Sequence, residues 1–485
     1  MRFSEIVNLL SKHDLVTDCS LPCDPEIADI SEDSRKTKVG DLFMCVKGSR
    51  FDSHVVANST NASALVCQYE IKTDKPYVIV KDIRLAISLT VYDFYGPFDN
   101  LRFFAVTGTK GKTTAATLFK EIANANEDKC ALMTTVVNST PNFFELSDHT
   151  TQSPLYFAKL LKRSIDEGAK FASLEASSQG LDMKRLDGLF FDRIAFLNLT
   201  RDHFDTHMNF ENYFNAKAHL IDLVKPDGIV FVNSDAGKWS KLYAKQGIDK
   251  GLKVVTYGTS GDIKLKVTKA DDNGTQFKLK IDGEDFDFSS TVIGDFMAYD
   301  LAASILAAVS FGIGIEVIQK AVNNFAGVEG RLERHHSDGY DFYIDYAHTP
   351  AALEAVLKFV RKLTQGRVIV VFGAGGDADR GKRPLMGSMV QKYSDLMFLT
   401  NDNPKSEDPL KIIDEVMNGI SDRSKLHVVP DRKQAIEMAL KTWQAGDKVV
   451  IAGKGHERVQ IFNGYEVPFK DRDVAFEILK GMGRI

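Results

Sequence analysis

The spacing of apolar and polar residues changes several times along the chain, and each change marks an element. Phe3, Ile6, Val7 and Leu10 recur at helical spacing among polar neighbours, which predicts an amphipathic helix over Met1–Leu15. Short apolar runs at Asp41–Val46, Ala64–Cys67 and Tyr77–Val80, separated by polar turns, predict strands. A buried-strand pattern at Phe103–Thr107 runs into a Gly/Lys/Thr loop and a helix from about Thr113. Strand-helix alternation follows, with apolar runs at Phe171–Leu174 and Ile194–Leu197 and a helix over Glu211–Leu223. From Thr256 to Ser290 short alternating segments turn at Asp271-Asp272-Asn273-Gly274 and Asp282-Gly283, which predicts hairpins decorating the central domain. Helical Ala298–Phe311 and Glu316–Phe325 lead into a second alternation, with strands at Phe342–Tyr346, Val368–Phe372, Leu396–Leu399, His427–Val429 and Lys448–Ile451. That order is doubly wound and Rossmann-like, but it has no GxGxxG and so carries no argument for a dinucleotide. The expected fold class is α/β in three domains, at residues 1–97, 98–331 and 332–485.

The length of 485 residues agrees, since domains run to about 100–200 residues. With 44% apolar and 26% charged residues the chain can bury several cores, which excludes wholesale disorder. Lys and Arg total 61 against 66 Asp and Glu, a net charge of −5. That balance argues against a nonspecific nucleic-acid binder, although it leaves room for a local basic pocket. The five cysteines, Cys19, Cys23, Cys45, Cys67 and Cys130, are odd in number and confined to the first part of the chain, which argues for a reducing compartment. No second cysteine or histidine pair completes a zinc site around Cys19 and Cys23. There is no signal-peptide core and no apolar run near the ~20 residues that span a bilayer. A cytoplasmic monomer without membrane insertion is the expectation.

The chemistry concentrates at predicted strand ends. Gly108-Thr109-Lys110-Gly111-Lys112-Thr113-Thr114 joins an apolar strand to a helix. Glycines let backbone N–H groups approach phosphate, Lys112 can reach the β/γ-phosphates, and the Thr113 hydroxyl can ligate Mg²⁺. The usual Gly five positions before Gly111 is Val106 here, so the loop is a shortened phosphate loop. Glu175 ends a strand, where a carboxylate can hold Mg²⁺. Asn198–His207 is dense in ionisable groups, and His203 or Asp202 could join a metal site. Lys217 sits in a predicted helix with nothing in its spacing to mark it. Three polar clusters, Asp345–Pro350, Asp402–Pro409 and Gly453–Glu457, follow strands of the last alternation, where open α/β sheets bind ligands.

Taken with Asp33-Ser34-Arg35, Thr150-Thr151, Glu175–Gly180 and Gly330-Arg331, these motifs resemble the Mur ligases along essentially the whole chain. The likeness is greatest to the branch that adds a third amino acid to UDP-N-acetylmuramoyl-L-alanyl-D-glutamate in peptidoglycan synthesis. The resemblance implies a uridine-binding first domain with Ser34 at the UDP end, a central ATPase domain, and a C-terminal domain that brings the amino acid. It places Gly108, Thr109, Lys110, Gly111, Lys112, Thr113 and Thr114 around ATP, with Arg331, Asp345 and His348 reaching it from the domain junction. Thr150, Thr151, Ser177 and Arg185 would hold the muramoyl-dipeptide. Arg383, Asp402, Asn403, Lys405, Glu407, Gly453 and Glu457 would meet the amino acid. Thr113, Glu175, His203 and Lys217 match the family's ligands for two Mg²⁺ ions, with Lys217 carbamylated to N6-carboxylysine. The implied catalytic set is Lys112, Glu175, His203, Lys217 and His348, and the implied reaction passes through an acyl phosphate.

Departures from the family pattern carry information too. Lys110 stands where the family often has Asn, Gln179 where it often has His, and Met297 and Asp300 where it has Asn. Enzymes of this branch that use meso-diaminopimelate typically carry Asp-Asn-Pro-Arg and an Arg after the Gly-Gly pair, whereas this chain has Lys405 and Ala378 there. An Arg fork grips a carboxylate with two prongs, while Lys is a point charge. Losing both forks favours L-lysine over meso-diaminopimelate, unless Arg380 or Arg383 compensates. Three rivals are a folylpolyglutamate synthase-like ligase, another Mur ligase with a different acceptor, and a noncatalytic nucleotide switch.

Overall fold

The computed structural model describes residues 1–48, 51–337 and 339–484. Among the described residues three large sheets occupy successive stretches of the chain, followed by a two-stranded one, Val459–Phe462 with Tyr465–Pro468. The first helix, Phe3–Lys12, buries Phe3, Ile6, Val7 and Leu10 along one stripe. A five-stranded sheet follows, in which Asp41–Met44, Ala64–Cys67 and Tyr77–Val80 are parallel neighbours.

The central sheet has eleven strands. Arg102–Thr107 lies at its middle, between Phe171–Glu175 and Phe191–Phe196, all three parallel and buried on both faces. Such strands read as continuous apolar runs because helices cover both faces. The helix Lys112–Ala125 covers one face and packs under Met297–Ser310. Ala115 and Ala116 on one helix and Ala298, Ala302 and Ala303 on the other permit close approach. Phe119 anchors that layer among Phe104, Phe171 and Phe311.

Two expectations are corrected here. The hairpins of 256–290 are not a decoration: Lys253–Gly258 pairs in parallel with Ile263–Asp271, so the antiparallel strands continue the central sheet. Their turn also reaches the C-terminal domain, where Tyr343 Oη donates to Asp272 Oδ1 at 2.6 Å and Lys448 Nζ to Asp272 Oδ2 at 2.8 Å. The helix expected over Glu211–Leu223 spans Phe210–Ala218 and then tightens into a 3₁₀ turn, His219–Leu223.

The C-terminal sheet has six strands, five of them parallel, with Glu333–Ser337 as an antiparallel edge. Tyr340–Asp345 and Lys448–Ala452 are neighbours, so the loops after both strands open on one side. Between the two larger sheets, Gly327, Gly330 and Leu332 all have positive φ, at 84°, 68° and 47°. A Cβ on Gly330 would lie 2.2 Å from the His456 nitrogen, so only glycine lets this connection pass so near the C-terminal domain.

Candidate active site

The phosphate loop is held open by its neighbours. Gly108 has φ 152°, and a Cβ there would meet the Asn198 nitrogen at 3.2 Å. Asn198 clasps the loop, accepting from Lys110 N at 2.9 Å and donating Nδ2 to Lys110 O at 3.1 Å. Gly111, at φ 89°, caps the following helix, whose N-terminal N–H groups face a cavity of about 380 Å³. Lys112 folds its ammonium onto the loop, donating to the carbonyls of Gly108 and Thr109 at 3.0 and 3.1 Å.

Behind the loop sits Glu175, 1% exposed at the end of its strand. Thr113 Oγ1 donates to its Oε1 at 2.8 Å, as does Thr135 N. Thr135 Oγ1 lies 3.1 Å from Oε2 and 3.0 Å from Thr150 Oγ1. Thr151 Oγ1 donates to the Glu175 carbonyl at 2.9 Å and accepts from Ser177 N at 3.0 Å, while Arg185 Nη1 donates to Thr151 O. Thr113, Glu175, Thr150, Thr151, Ser177 and Arg185 are therefore one connected network. Thr135 joins it without having been marked in the sequence; the one signal was its place just after the strand Cys130–Met133. Gly180 admits Thr151, because a Cβ there would be 2.6 Å from the Thr151 Cβ.

Lys217 is not the ordinary surface lysine its helix suggested. It is 1% exposed, donates to Gly108 O at 2.9 Å, and lies 4.6 Å from the Tyr213 ring centroid. Burial, reinforced by Lys112 nearby, pushes its pKa far below that of a free lysine. His203 lies on the adjacent loop with positive φ and a side chain more than half exposed. Among the described residues, no group of three or more His, Cys, Asp and Glu side chains forms a metal cage, and no hydrogen bond joins His203 or Lys217 to Glu175. The oxygens of Thr113 and Glu175 are the hard donors that Mg²⁺ takes, so that part of the expected set fits the ion.

The C-terminal domain closes the cavity. Arg331 Nη2 reaches Thr113 Oγ1 at 3.3 Å and stacks over Tyr346. Asp345 lines the cavity too, but its Oδ2 is occupied by the Leu332 N–H at 2.6 Å, which pins the connection between domains. His348 donates Nδ1–H to the Tyr346 carbonyl at 2.8 Å, which leaves Nε2 facing Lys110 Nζ at 3.4 Å. Lys110, in place of the family's Asn, thus reaches across to His348 and to Asp202, 3.3 Å away. Asp300 faces Gly111 at the other side; burial raises its carboxyl to about 7, against the pull of Lys112 and Arg331. Phe296, Met297, Ala351, Ala355 and Val356 give the cavity an apolar end suited to a nucleobase.

Ser34 lies outside this cavity, in a turn of the first domain where Asp33 holds Arg35 through two hydrogen bonds. In the amino-acid cluster two of the expected residues contact each other. Arg383, 1% exposed, donates to both oxygens of Glu407 at 2.7 and 2.9 Å and to Glu415 at 2.7 Å. Arg383 and Glu407 are thus paired fork to fork, while the buried Arg383 Nε has no hydrogen-bond partner. Asn403, Glu457 and the fully buried Lys454 interlock: Asn403 Nδ2 donates to Glu457 at 2.7 Å, and Lys454 Nζ to both. Asp402 is 6% exposed and its Oδ2 accepts no hydrogen bond. Gly453 makes room for that oxygen, which would lie 2.3 Å from a Cβ there. Burial and the charge of Asp402 raise the Glu457 pKa. Lys405 has φ 50°, and its N–H donates to Ile461 O at 3.0 Å.

A shortened phosphate loop at the seam of two α/β domains, backed by a buried carboxylate, defines a nucleotide-dependent P-loop enzyme. Residues 106–308 match the model of the Mur ligase middle domain, and residues 330–455 that of the Mur ligase glutamate ligase domain. The chain belongs to the Mur ligase family, most like its MurE members, and is an ATP-dependent, amide-forming ligase. It is 39% identical over 460 residues to UDP-N-acetylmuramoyl-L-alanyl-D-glutamate–2,6-diaminopimelate ligase of Aquifex aeolicus, covering 94% of each chain. The protein of that name from Parabacteroides distasonis is 37% identical over 465 residues, 93% of this chain and 94% of the other. A solved structure of such a ligase is 31% identical, superposes with a TM-score of 0.69, and covers 98% of this chain and 99% of its own. A folylpolyglutamate synthase from Thermotoga maritima shares the fold at 14% identity and a TM-score of 0.58, over 76% of this chain and 89% of its own.

The histidine at the seam gives a pH prediction. Burial holds His348 down at about 4, so it is neutral near pH 7, whereas an unfolded histidine titrates at about 6.5. Between those values the unfolded chain binds more protons, so stability falls as pH falls through that window. The thermal midpoint of His348→Gln is expected to decline less than that of the wild type from about pH 7 to about pH 5. Equal declines would show that His348 does not contribute.

Proposed function

We propose that this chain joins L-lysine to the D-glutamate carboxylate of UDP-N-acetylmuramoyl-L-alanyl-D-glutamate, cleaving ATP to ADP and phosphate, as a step of peptidoglycan precursor synthesis in the cytoplasm. The observation that carries this reading is the unbroken run of contacts from Thr113 through Glu175 and Thr135 to Thr150, Thr151 and Arg185. It sets a phosphate-loop threonine beside polar groups of the kind that hold a peptide carboxylate. In this reading residues 1–97, with Ser34, take the uridine end, residues 98–331 take ATP, residues 332–485 bring the amino acid, and the enzyme acts as a monomer.

The residues act in a definite order. Amides of Gly108–Thr114 receive the triphosphate at the helix N-terminus. Lys112 exchanges its loop carbonyls for phosphate oxygens and draws off the charge that develops there. Arg185, Thr151 and Ser177 orient the dipeptide so that a carboxylate oxygen attacks the γ-phosphorus and ADP leaves. The amine then attacks the acyl carbon of the acyl phosphate, and phosphate leaves with its bridging oxygen. Seating the C-terminal domain over the cavity keeps water from that acyl phosphate. Thr113 and Glu175, joined by His203 and a carbamylated Lys217, would hold Mg²⁺, which when bound supplies positive charge to the phosphates. Burial lowers the Lys217 pKa and so favours the uncharged amine, the form that adds to CO₂.

L-lysine is favoured because the guanidinium groups beside the Gly375–Gly381 loop already hold carboxylates of the protein. Ala378 and Lys405 replace the expected arginines, and Arg380 and Arg383 are both engaged by Glu415 or Glu407. The unpartnered Asp402 oxygen and Glu457 suit an ammonium better than a carboxylate. The relatives' names support a second reading, the same reaction with meso-diaminopimelate. Likeness to folylpolyglutamate synthase extends to the fold alone. A nucleotide switch would give no explanation for the Thr150-Thr151 and Asp402–Glu457 groups.

Phosphate release and product mass, measured with L-lysine, meso-diaminopimelate and L-ornithine in parallel, test the reading. Preferred turnover with L-lysine is expected. Combining Ala378→Arg with Lys405→Arg is expected to shift the kcat/KM ratio toward diaminopimelate by about tenfold or more, the scale of one bidentate charged pair. Wild-type preference for diaminopimelate would establish the second reading, and basal hydrolysis unaffected by any amino acid would favour the switch. Lys217→Ala is expected to lose ligation and to regain part of it with added formate; full activity in the untreated variant would remove the carbamate from the scheme.

A further inference from the structure

Two consecutive residues of the central domain reach into the C-terminal domain at the mouth of the cavity. Arg201 holds Asp379 with both prongs of its guanidinium, Nε to Oδ2 at 2.7 Å and Nη2 to Oδ1 at 3.0 Å. Asp202, 2% exposed, faces Lys382 Nζ at 3.4 Å, and Lys382 is itself 6% exposed. The seat is shaped for this contact. Asp379 is 8% exposed, its Oδ1 also accepts from Gly381 N at 2.9 Å, and a Cβ on Gly381 would lie 2.5 Å from Arg201 Nη2. Arg201 further rests 4.8 Å from the Phe204 ring centroid.

Each end of this contact continues into a different part of the site. On the central side, Asp202 meets Lys110 of the phosphate loop, and the next residue is His203. On the C-terminal side, Asp379 and Lys382 flank the segment that leads to Arg383, which holds Glu407, while Asp377 accepts from Ser406 Oγ at 2.5 Å and donates its N–H to Glu407 at 2.6 Å. Asp402 to Glu407 is the stretch proposed to meet the amino acid. A chain of charged contacts thus runs from the phosphate loop to the amino-acid loop; it crosses between domains at Asp202–Lys382, and the shorter, two-pronged Arg201–Asp379 pair crosses beside it.

We propose that Arg201 and Asp379 are positioning residues that latch the amino-acid loop over the phosphate loop, so that ATP cleavage is coupled to ligation. This rests on the ligase reading above. With the latch loosened, the domains part more often while the acyl phosphate exists. Water then adds to the acyl carbon, the bond from that carbon to the phosphate oxygen breaks, and inorganic phosphate leaves as the D-glutamate carboxylate is regenerated with release of a proton. ATP is spent without a peptide bond.

The readout is the number of phosphates released per peptide formed, together with KM for L-lysine and for ATP. The variants are Asp379→Asn, which keeps the size and the Gly381 contact, Arg201→Ala, and the exchanged pair Arg201→Asp with Asp379→Arg. The wild-type ratio is expected near one. In Asp379→Asn and Arg201→Ala it should rise to about three or more, with the lysine KM up about tenfold and the ATP KM within about twofold, the scale of a broken cross-domain ion pair. The exchanged pair is expected to bring the ratio back toward one, which a merely destabilised fold would not do. Wild-type ligation with an unchanged ratio and lysine KM in both single variants overturns the latch alone. A wild-type protein that releases phosphate without making peptide overturns the ligase reading, and the latch with it.

Discussion

A carboxylate buried to 1% exposure is costly unless its oxygens find donors, and Glu175 finds them in Thr113 and Thr135. Most of the site depends on that arrangement. The strand ending at Glu175 pairs in parallel with the one that feeds the phosphate loop, Glu175 opposite Val106, so sheet register alone brings the carboxylate level with the loop. Its backbone carbonyl takes the Thr151 hydroxyl, and Thr151 in turn orients Ser177 N and receives Arg185. One residue therefore meets the phosphate-loop helix through its side chain and Thr151 through its main chain. Such a network is all-or-none in character, since a missing donor leaves a charged oxygen unsolvated.

The second constraint is that the site is complete only at a domain seam. Arg331, Asp345 and His348 stand at the C-terminal side of the cavity, and the connection that carries Arg331 turns on Gly327, Gly330 and Leu332 with positive φ. The seam is fastened near this connection by Asp272 and at the cavity mouth by Arg201 and Asp202. An intermediate as labile to water as an acyl phosphate gives a physical reason for a site assembled by closure.

Much of this was legible in the sequence where a local pattern reflects a local cause. The amphipathic stripe Phe3, Ile6, Val7, Leu10 was so because one buried face imposes one period, and the strands Val368–Phe372 and Leu396–Leu399 were so because burial on both faces demands a continuous apolar run. The phosphate loop was legible because glycine and lysine at that spacing answer one chemical need. Lys217 was legible only through family resemblance: its burial depends on Gly108, far away in the chain, and no helical period records that. The hairpins of 256–290 looked like a decoration because alternation says nothing of which sheet a strand joins. Arg383 and Glu407 each look like a ligand group in isolation, and only the folded chain places them against one another. Thr135 carried no motif, and the pairing of Arg201 in the Asn198–His207 segment with Asp379 was not legible, since their partners come from other elements.

The central claim is that Glu175 couples the nucleotide side to the dipeptide side. A double-mutant cycle of Thr113→Val and Thr151→Val, read as kcat/KM for ligation, tests it most directly. If the two threonines act through one residue, Glu175, their effects are non-additive, with a coupling of about 1–3 kcal/mol. Additive effects, within about 0.5 kcal/mol, would mean that the two sides work independently and would contradict the account.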